Sequence, residues 1–438
     1  MTTAQPRTAD VVVIGAGVVG AGVALELARS GRSVTIVERN PGPGQGSTSA
    51  SSAIVRFNYS TYDGVATSWE AKFGWEDWAS YLGCTADHVL ARYHRTGVLT
   101  FDFPGLNNDR ILALYDAVGV PYEQLSPSQI TQRFPYFSPE RHYPPRTLED
   151  EAFWSEATGE LAGSYTADGG FVDDPGLAAR NLLDAAVAAG AAALFRRTVT
   201  AISTDGRGVC GLTLDDGSTI ATRAAVNCAG PHSGVVNRLA GVLDDFRVGT
   251  MPLRQEVHQV PGPDGFPIEA GAPVTFDGDL GTYFRPEPGG AILVGGMEPE
   301  CDPLHWLTDP DATEPSPTSP VYDVQTTRLA RRMPGLTVPP RPKGVVGVYD
   351  VSDDWIPIYD RTALDGFYVA IGTSGNQFKN APVIGQLMAA LVNAVEDGHD
   401  HDADPVQWHA PATGLTISLG HYSRLRQQHA ASSRSVLG

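Results

Sequence analysis

Residues 11–14 form an unbroken apolar run, VVVI, that leads into glycines and then into VVGAGVALELARSG. In that second stretch small and apolar residues recur at helical spacing until Gly31, and SVTIVE then resumes a β-branched run. The pattern predicts strand, turn, helix and strand, a single βαβ unit. From Asp63 to Gln132 the pattern reads as mostly helical, with Trp69, Phe73, Trp75 and Trp78 on it. Within it, LSPSQITQRFP offers a capping serine, Pro127 at the first helical position and Pro135 as a stop. VDDPGLAARNLLDAAVAAGA reads as a second clear helix, opened by Asp174-Pro175 and closed by Gly190.

Strands are expected around ALFRRTVTAIS, then a hairpin in GVCGLTLDDGSTIATR with Asp216-Gly217 at its tip, then a buried strand in AAVNCAG. From about Met251 to Gly296 the strands lengthen (LRQEVHQV, GTYFRP, AILVGG), as in a sheet-forming insertion. DPDATEPSPTSP reads as a polar, proline-rich surface loop. GFYVAIG is one more strand; it feeds GTSGNQFKNAP and the apolar helix PVIGQLMAALVNAV. Residues 410–438 read as a weakly ordered tail or as an arm on a partner subunit.

A chain of 438 residues implies two domains. Its formal charge of −19 opposes binding to nucleic acid. Cys84, Cys210, Cys228 and Cys301 have neither metal-ligand nor disulfide-framework spacing, and are expected reduced and mostly buried. The opening MTTAQPRTAD lacks a signal pattern, and the uncharged run Val11–Leu25 is too short to span a bilayer, so a cytoplasmic protein is expected. HDHDADPVQWH gathers histidines and aspartates but reads as a solvated loop, and no metal site is expected.

GAGVVG places Gly15, Gly17 and Gly20 in a GxGxxG arrangement between that first strand and its helix. Gly15 permits the tight turn, Gly17 lets a pyrophosphate approach the backbone, and Gly20 lets the helix pack on the strand. The helix N-terminus then offers free N–H groups to phosphates. Glu38, at the end of the next strand, can accept both ribose hydroxyls and would repel a 2′-phosphate. The context points to a dinucleotide.

The chain then leaves the sheet, returns at TVTAIS and AAVNCAG, leaves again, and returns at GFYVAIG. With GSTSASSAIVR, YTADGGFVDDPGLAARNLLDAAVAAGA, VNCAGPHSG, GTYFRPEPGGAILVGG and FYVAIGTSGNQFKNAPVIG, it resembles the FAD-dependent amine and amino-acid oxidoreductases, from about Ala9 to about Val395. That family includes sarcosine oxidase, dimethylglycine dehydrogenase, glycine oxidase and D-amino-acid oxidase. The resemblance implies an α/β fold in which a Rossmann-like FAD-binding domain is interleaved with a mostly antiparallel-sheet substrate domain. Residues 1–95, 150–245 and 340–395 are assigned to the first, 96–149 and 246–339 to the second, and 396–438 to a tail.

By that resemblance Ser47 and Thr48 lie near the FAD phosphates, and Val199 holds the adenine through its backbone. Ala229 and Gly230 pass close to the cofactor, and Gly375, Asn376 and Gln377 complete the cofactor-binding set. Some members tether FAD through a histidine or a cysteine; this chain has Ala50 and Gly347 at those places, so dissociable FAD is expected.

Lysine is scarce: only Lys72, Lys343 and Lys379 occur among the 31 basic residues. A lysine just before a helix N-terminus opposes the helix dipole and needs an anion nearby. Lys379 matches a family lysine that grips the substrate carboxylate, and Arg56 matches its partner arginine. Together they form an expected carboxylate clamp, a guanidinium fork plus a point charge. Tyr349 matches an active-site tyrosine, Arg285 is a rival clamp, and His258 and Glu256 are candidates to line the same pocket. Leu293 stands where some members carry a lysine thought to activate oxygen, so O2 or another electron acceptor serves the reaction.

The expected reaction is oxidation of the C–N bond of a small amino acid, secondary or N-methylated, to an imine. The alternatives are a primary D-amino acid or a 2-hydroxy acid as substrate, or a flavin-binding assembly protein without turnover. The oligomeric state is left open.

Overall fold

The structure, a computed structural model, describes residues 8–84, 88–266, 271–430 and 432–437. The opening residues 1–7 and positions 431 and 438 of the expected tail lie outside them. Strand β1 (Val11–Ile14), helix α1 (Val18–Arg29) and strand β2 (Val34–Glu38) form the expected βαβ unit, with β1 and β2 parallel and fully buried. β1 is the centre of a six-stranded sheet. On one side stand β2 and Ala192–Phe195, both parallel to their neighbours. On the other stand Ala224–Asn227 and Phe367–Ile371, also parallel, and then Ile358–Arg361, antiparallel at the edge.

The strands of the parallel part have both faces covered, which is why they read as continuous apolar runs. Helices Pro175–Ala188 and Ala381–Glu396 pack against α1 on one face. Asp174 caps the first of these by accepting from Leu177 N–H at 2.8 Å. Close packing of α1 needs glycine: a Cβ on Gly22 would come within 2.9 Å of Ala381 O, and one on Gly385 within 2.4 Å of Gly22 O.

The second sheet is larger and mostly antiparallel. Its path runs through His305–Trp306, Thr250–Pro261, Ala291–Gly296, Thr282–Glu287, Val274–Asp277, Val98–Phe101, Gly163–Thr166 and Glu123–Leu125. Gly344–Ser352 pairs antiparallel with residues 250–258 of Thr250–Pro261. Hydrogen bonding therefore assigns Gly163–Thr166 and Gly344–Ser352 to this sheet, although the sequence reading grouped both ranges with the nucleotide domain. The stretch 63–132 is likewise less helical than expected, because Val98–Phe101 and Glu123–Leu125 are recruited as strands. The Ser126 capping box with Gln129 forms as read.

Three other readings differ from the structure. The residues beyond 396 pack on their own chain. Arg424 pairs with Asp360, Asp402 and Asp245, Arg426 pairs with Asp354, and Val436 and Leu437 are buried with Phe276, Tyr283 and Val351. The HDHDADPVQWH loop is not wholly solvated, since His401 is buried beside Asp360. All four cysteines are free thiols, but only Cys228 is buried. Among the described residues no helix is long and apolar enough to cross a membrane.

Candidate active site

A cavity of about 510 Å³ opens at the C-terminal ends of the parallel strands, where the large sheet faces them. Ligands of open α/β sheets bind at such strand ends. Gly15, Gly17, Glu38, Ser47, Thr48, Val199, Ala229 and Gly230 line one part, and Arg56, Tyr349, Gly375, Asn376, Gln377 and Lys379 line the other. Gly20 does not line it; a Cβ there would meet Gly15 O at 2.0 Å, so its part is helix-on-strand packing.

The first part has the shape a dinucleotide requires. Gly15 has φ +103°, and a Cβ on it would sit 2.5 Å from Cys228 O. Thr48 Oγ1 accepts from Val18 N–H at 3.1 Å and lies where a Cβ on Gly17 would press at 3.2 Å. Glu38 is fixed by Ala16 N–H on Oε2 and Asn40 N–H on Oε1, both at 2.8 Å, and lines the cavity. Ser47 Oγ donates to Val348 O at 2.6 Å, tying the serine-rich loop to the large sheet. Within that loop and strand, Ala50 and Gly347 face each other: a Cβ on Gly347 would lie 3.1 Å from the Ala50 Cβ.

Sequence reading missed the cover of this end. Pro310, Thr313 and Pro315, from the proline-rich loop expected on the surface, line the cavity. Asp311 holds the loop there, accepting from Arg39 Nη1 and Nη2 at 2.9 and 2.8 Å and lying 3.1 Å from His232 Nε2. Arg39 holds the Asp311 carboxyl down at about 2. Nothing in one of several acidic residues of a polar loop signals this partner in advance.

The second part is built around Tyr59. Arg56 follows the short strand Ile54–Val55, which pairs with Gly170–Val172. Lys379 sits in the tight turn Phe378–Asn380 that opens helix Ala381–Glu396. The Arg56 Cζ lies 4.8 Å and the Lys379 Nζ 4.6 Å from the Tyr59 ring centroid. The Tyr59 hydroxyl donates to Asn376 O at 2.7 Å, so the same residue supports the ring and the turn. Asn376 O also accepts from Lys379 Nζ, at 2.5 Å.

Both cations are buried, and their hydrogen bonds go to neutral groups: Lys379 to a backbone carbonyl, Arg56 to Asn58, Val436 and Leu437. Among the described residues neither has a carboxylate in ion-pair reach. Burial, and then the charge of Arg56, pushes the Lys379 ammonium well below the usual lysine range. Burial lowers Arg56 as well. Positive charge without a partner in a dry site is costly, and an anionic ligand relieves that cost.

Tyr349 lies against the turn, close enough that a Cβ on Gly375 would come within 2.3 Å of its ring. Its hydroxyl lies near that of Tyr283, which shares a 2.9 Å hydrogen bond with Ser52. Burial keeps the Tyr349 hydroxyl protonated far above the usual tyrosine range. Arg285 and His258 do not line the cavity. Arg285 is spent on Ser52 O (2.7 Å), Pro286 O (2.9 Å) and Glu287 (3.2 Å), with its guanidinium over Phe171. His258 bridges Gln325 at 2.8 Å and Glu256 at 3.1 Å, and Glu256 in turn takes the Thr318 N–H and hydroxyl. That network ties the large sheet to helix Ser319–Arg332. Leu293 is not among the lining residues either.

Comparison with known proteins agrees with this architecture. Residues 10–391 match the family model described as FAD dependent oxidoreductase. Among solved structures, L-proline dehydrogenase from P. horikoshii superposes with a TM-score of 0.72 at 20% identity, over 90% of this chain and 95% of that one. Glycine oxidase from Geobacillus kaustophilus gives 0.71 at 21% identity, over 91% and 98%. A curated D-amino acid dehydrogenase 2 from Ralstonia nicotianae is 47% identical over 50 residues, which is 11% of this chain and 12% of that protein.

Proposed function

Because this chain belongs to the FAD dependent oxidoreductase family, we propose that it oxidises the C–N bond of a small amino acid, secondary or N-methylated, to the imine. The observation that carries this reading is the convergence of Arg56 and Lys379, both lining the cavity, on the Tyr59 ring, buried and without a carboxylate partner among the described residues. A negative group is the natural guest of such a pair.

FAD, when bound, supplies the hydride acceptor for the carbon next to nitrogen. Gly15, Gly17, Thr48 and the first turn of α1 would hold its pyrophosphate, Glu38 its ribose hydroxyls, and Val199, Ala229 and Gly230 its flanks. Ser47, Gly375, Asn376 and Gln377 would border the remainder. With Ala50 and Gly347 at the positions where relatives tether the cofactor, FAD is held without a covalent bond in this reading. Acid precipitation should then leave the flavin in the supernatant.

Arg56 and Lys379 take the substrate carboxylate and fix which carbon faces the cofactor; orientation of this kind supplies most of what the protein must add. Tyr349 and Tyr283 close the pocket beside them. The structure supports no role at the cavity for Arg285 or His258. Leu293, in place of a family lysine, favours an electron acceptor other than O2. The free thiols fit a reducing compartment, and a cytoplasmic setting is part of the reading.

Anaerobic bleaching of the bound flavin by a panel of sarcosine, N,N-dimethylglycine, L-proline, glycine, D-alanine and lactate tests the proposal. Fastest reduction by a secondary or N-methylated amino acid is expected. Fastest reduction by lactate or D-alanine would replace the substrate class, and no reduction by any amine would leave a flavin-binding protein without this turnover.

A further inference from the structure

Val436 lines the cavity and lies between a guanidinium and a carboxyl group. Its carbonyl accepts from the Arg56 guanidinium, and its N–H donates to Glu298 Oε2 at 3.3 Å. The N–H and C=O of one residue have nearly the spacing of the amino and carboxyl groups of an α-amino acid. The peptide unit of Val436 thus stands in for those two groups: its oxygen for a carboxylate oxygen, its N–H for an amine N–H.

Glu298 has the features of a receptor for a charged group. It follows the strand Ala291–Gly296 with φ +52°, a conformation unusual for a residue with a side chain. Its Oε1 is buried and has no hydrogen-bond partner among the described residues. Burial pushes its carboxyl up to about 8, and a cation brought alongside favours the ionised form.

From this arrangement, and resting on the amino-acid reading above, we infer that Glu298 receives the substrate amino group while Arg56 and Lys379 hold the carboxylate, and that the segment Ser435–Leu437 vacates this subsite when substrate enters. Two basic groups at one end and one acidic group at the other can take up, on binding, the charges that complement an amino-acid zwitterion. The apolar surroundings of Val436 and Leu437, formed by Phe276, Tyr283, Val351 and Trp355, then receive the substrate side chain. The segment is held at the subsite by the same groups that substrate would engage, Arg56 on the Val436 and Leu437 carbonyls and Glu298 on the Val436 N–H, while Arg426 and Ser432 anchor the preceding stretch to Asp354.

The test compares matched probes on the FAD-loaded full chain under anaerobic conditions. Sarcosine is set against methoxyacetate and L-proline against cyclopentanecarboxylate, with dissociation constants from flavin difference spectra. Glu298→Gln should weaken the two amines at least tenfold and leave the two amine-free acids within twofold, with the melting temperature not lowered and FAD content unchanged. The pair Val436→Gly and Leu437→Gly should tighten both classes of probe. Equal losses for amines and acids in Glu298→Gln, or no loss, would overturn the assignment of Glu298. Unchanged or weaker binding in the glycine pair would overturn the displacement of the segment. If the acids bind but no amine reduces the flavin, the oxidation reading fails, and the amine-to-acid affinity ratio still decides Glu298. If neither class binds even to the glycine pair, the clamp and the Glu298 assignment fall together.

Discussion

Arg56 and Lys379, 323 positions apart in the numbering, rest against the same aromatic ring. Tyr59 supports both cations, and its hydroxyl bonds to the turn from which Lys379 projects. Placing two basic groups together in a buried site disfavours their charged forms. The arrangement is stable because backbone carbonyls and the ring quadrupole partly compensate each charge.

Removing either cation should act on substrate and not on cofactor. Lys379→Met and Arg56→Ala are each expected to raise KM for the amino-acid substrate about 100-fold, equivalent to ~2.7 kcal/mol. FAD content after gel filtration should match the wild type. Arg56→Lys should not restore affinity, because a point charge cannot replace the planar fork. Wild-type kinetics in both variants would remove the clamp.

The low pKa of Lys379 makes ligand binding a proton-linked event. In the free site burial favours the neutral amine, whereas an anion alongside favours the ammonium. A carboxylate ligand should therefore bind with proton uptake, and its affinity should fall as pH rises through the lysine pKa of the free site. Calorimetric titrations in two buffers of different ionisation enthalpy measure the uptake. Lys379→Met should abolish it, and uptake of equal size in that variant would assign the proton elsewhere.

The loop carrying Asp311 is held over the nucleotide end by surface contacts with Arg39 and His232. Such contacts are modest and sensitive to salt. Asp311→Ala should weaken FAD binding up to about fivefold, measured by titrating apoprotein. At saturating FAD the substrate KM should not change. High salt should weaken FAD binding in the wild type more than in the variant.

Stability should carry a pH signature from Asp350. Burial raises its carboxyl from 3.8 to about 7, and Gly372 N–H, a neutral donor, reaches it at 2.6 Å. Between those two values the folded chain holds the proton that the unfolded chain releases. Its contribution is therefore full at the acid end, falls as pH rises from about 4 to about 7, and is lost above, at an upper limit of ~1.4 kcal/mol per pH unit. Glu298 adds a slope of the same sign up to about 8. Melting temperatures from pH 5 to 8 should decline less steeply in Asp350→Asn than in the wild type; identical slopes would exclude this residue as the source.

The nucleotide end was legible because its demands are local. Gly15, Gly17 and Gly20 serve backbone geometry within six residues, and Glu38 terminates the very next strand. Arg285 and His258 were less legible: a conspicuous cation and histidine on the right strands turn out to be saturated by Ser52, Glu287, Gln325 and Glu256. Whether a polar side chain is free or already partnered depends on neighbours far away in the chain.

The amino-acid sequence alone determined the βαβ unit, the glycine turn and the two long helices, because period, capping and close-approach glycines act over short spans; the clamp candidates came from the family resemblance. Only the tertiary structure decided that the loop at Asp311 covers the cavity, that strands 163–166 and 344–352 join the large sheet, and that Val436 lies between Arg56 and Glu298. Those outcomes depend on contacts between segments up to 380 residues apart, and no local pattern records which distant partner will satisfy a buried charge or an open strand edge.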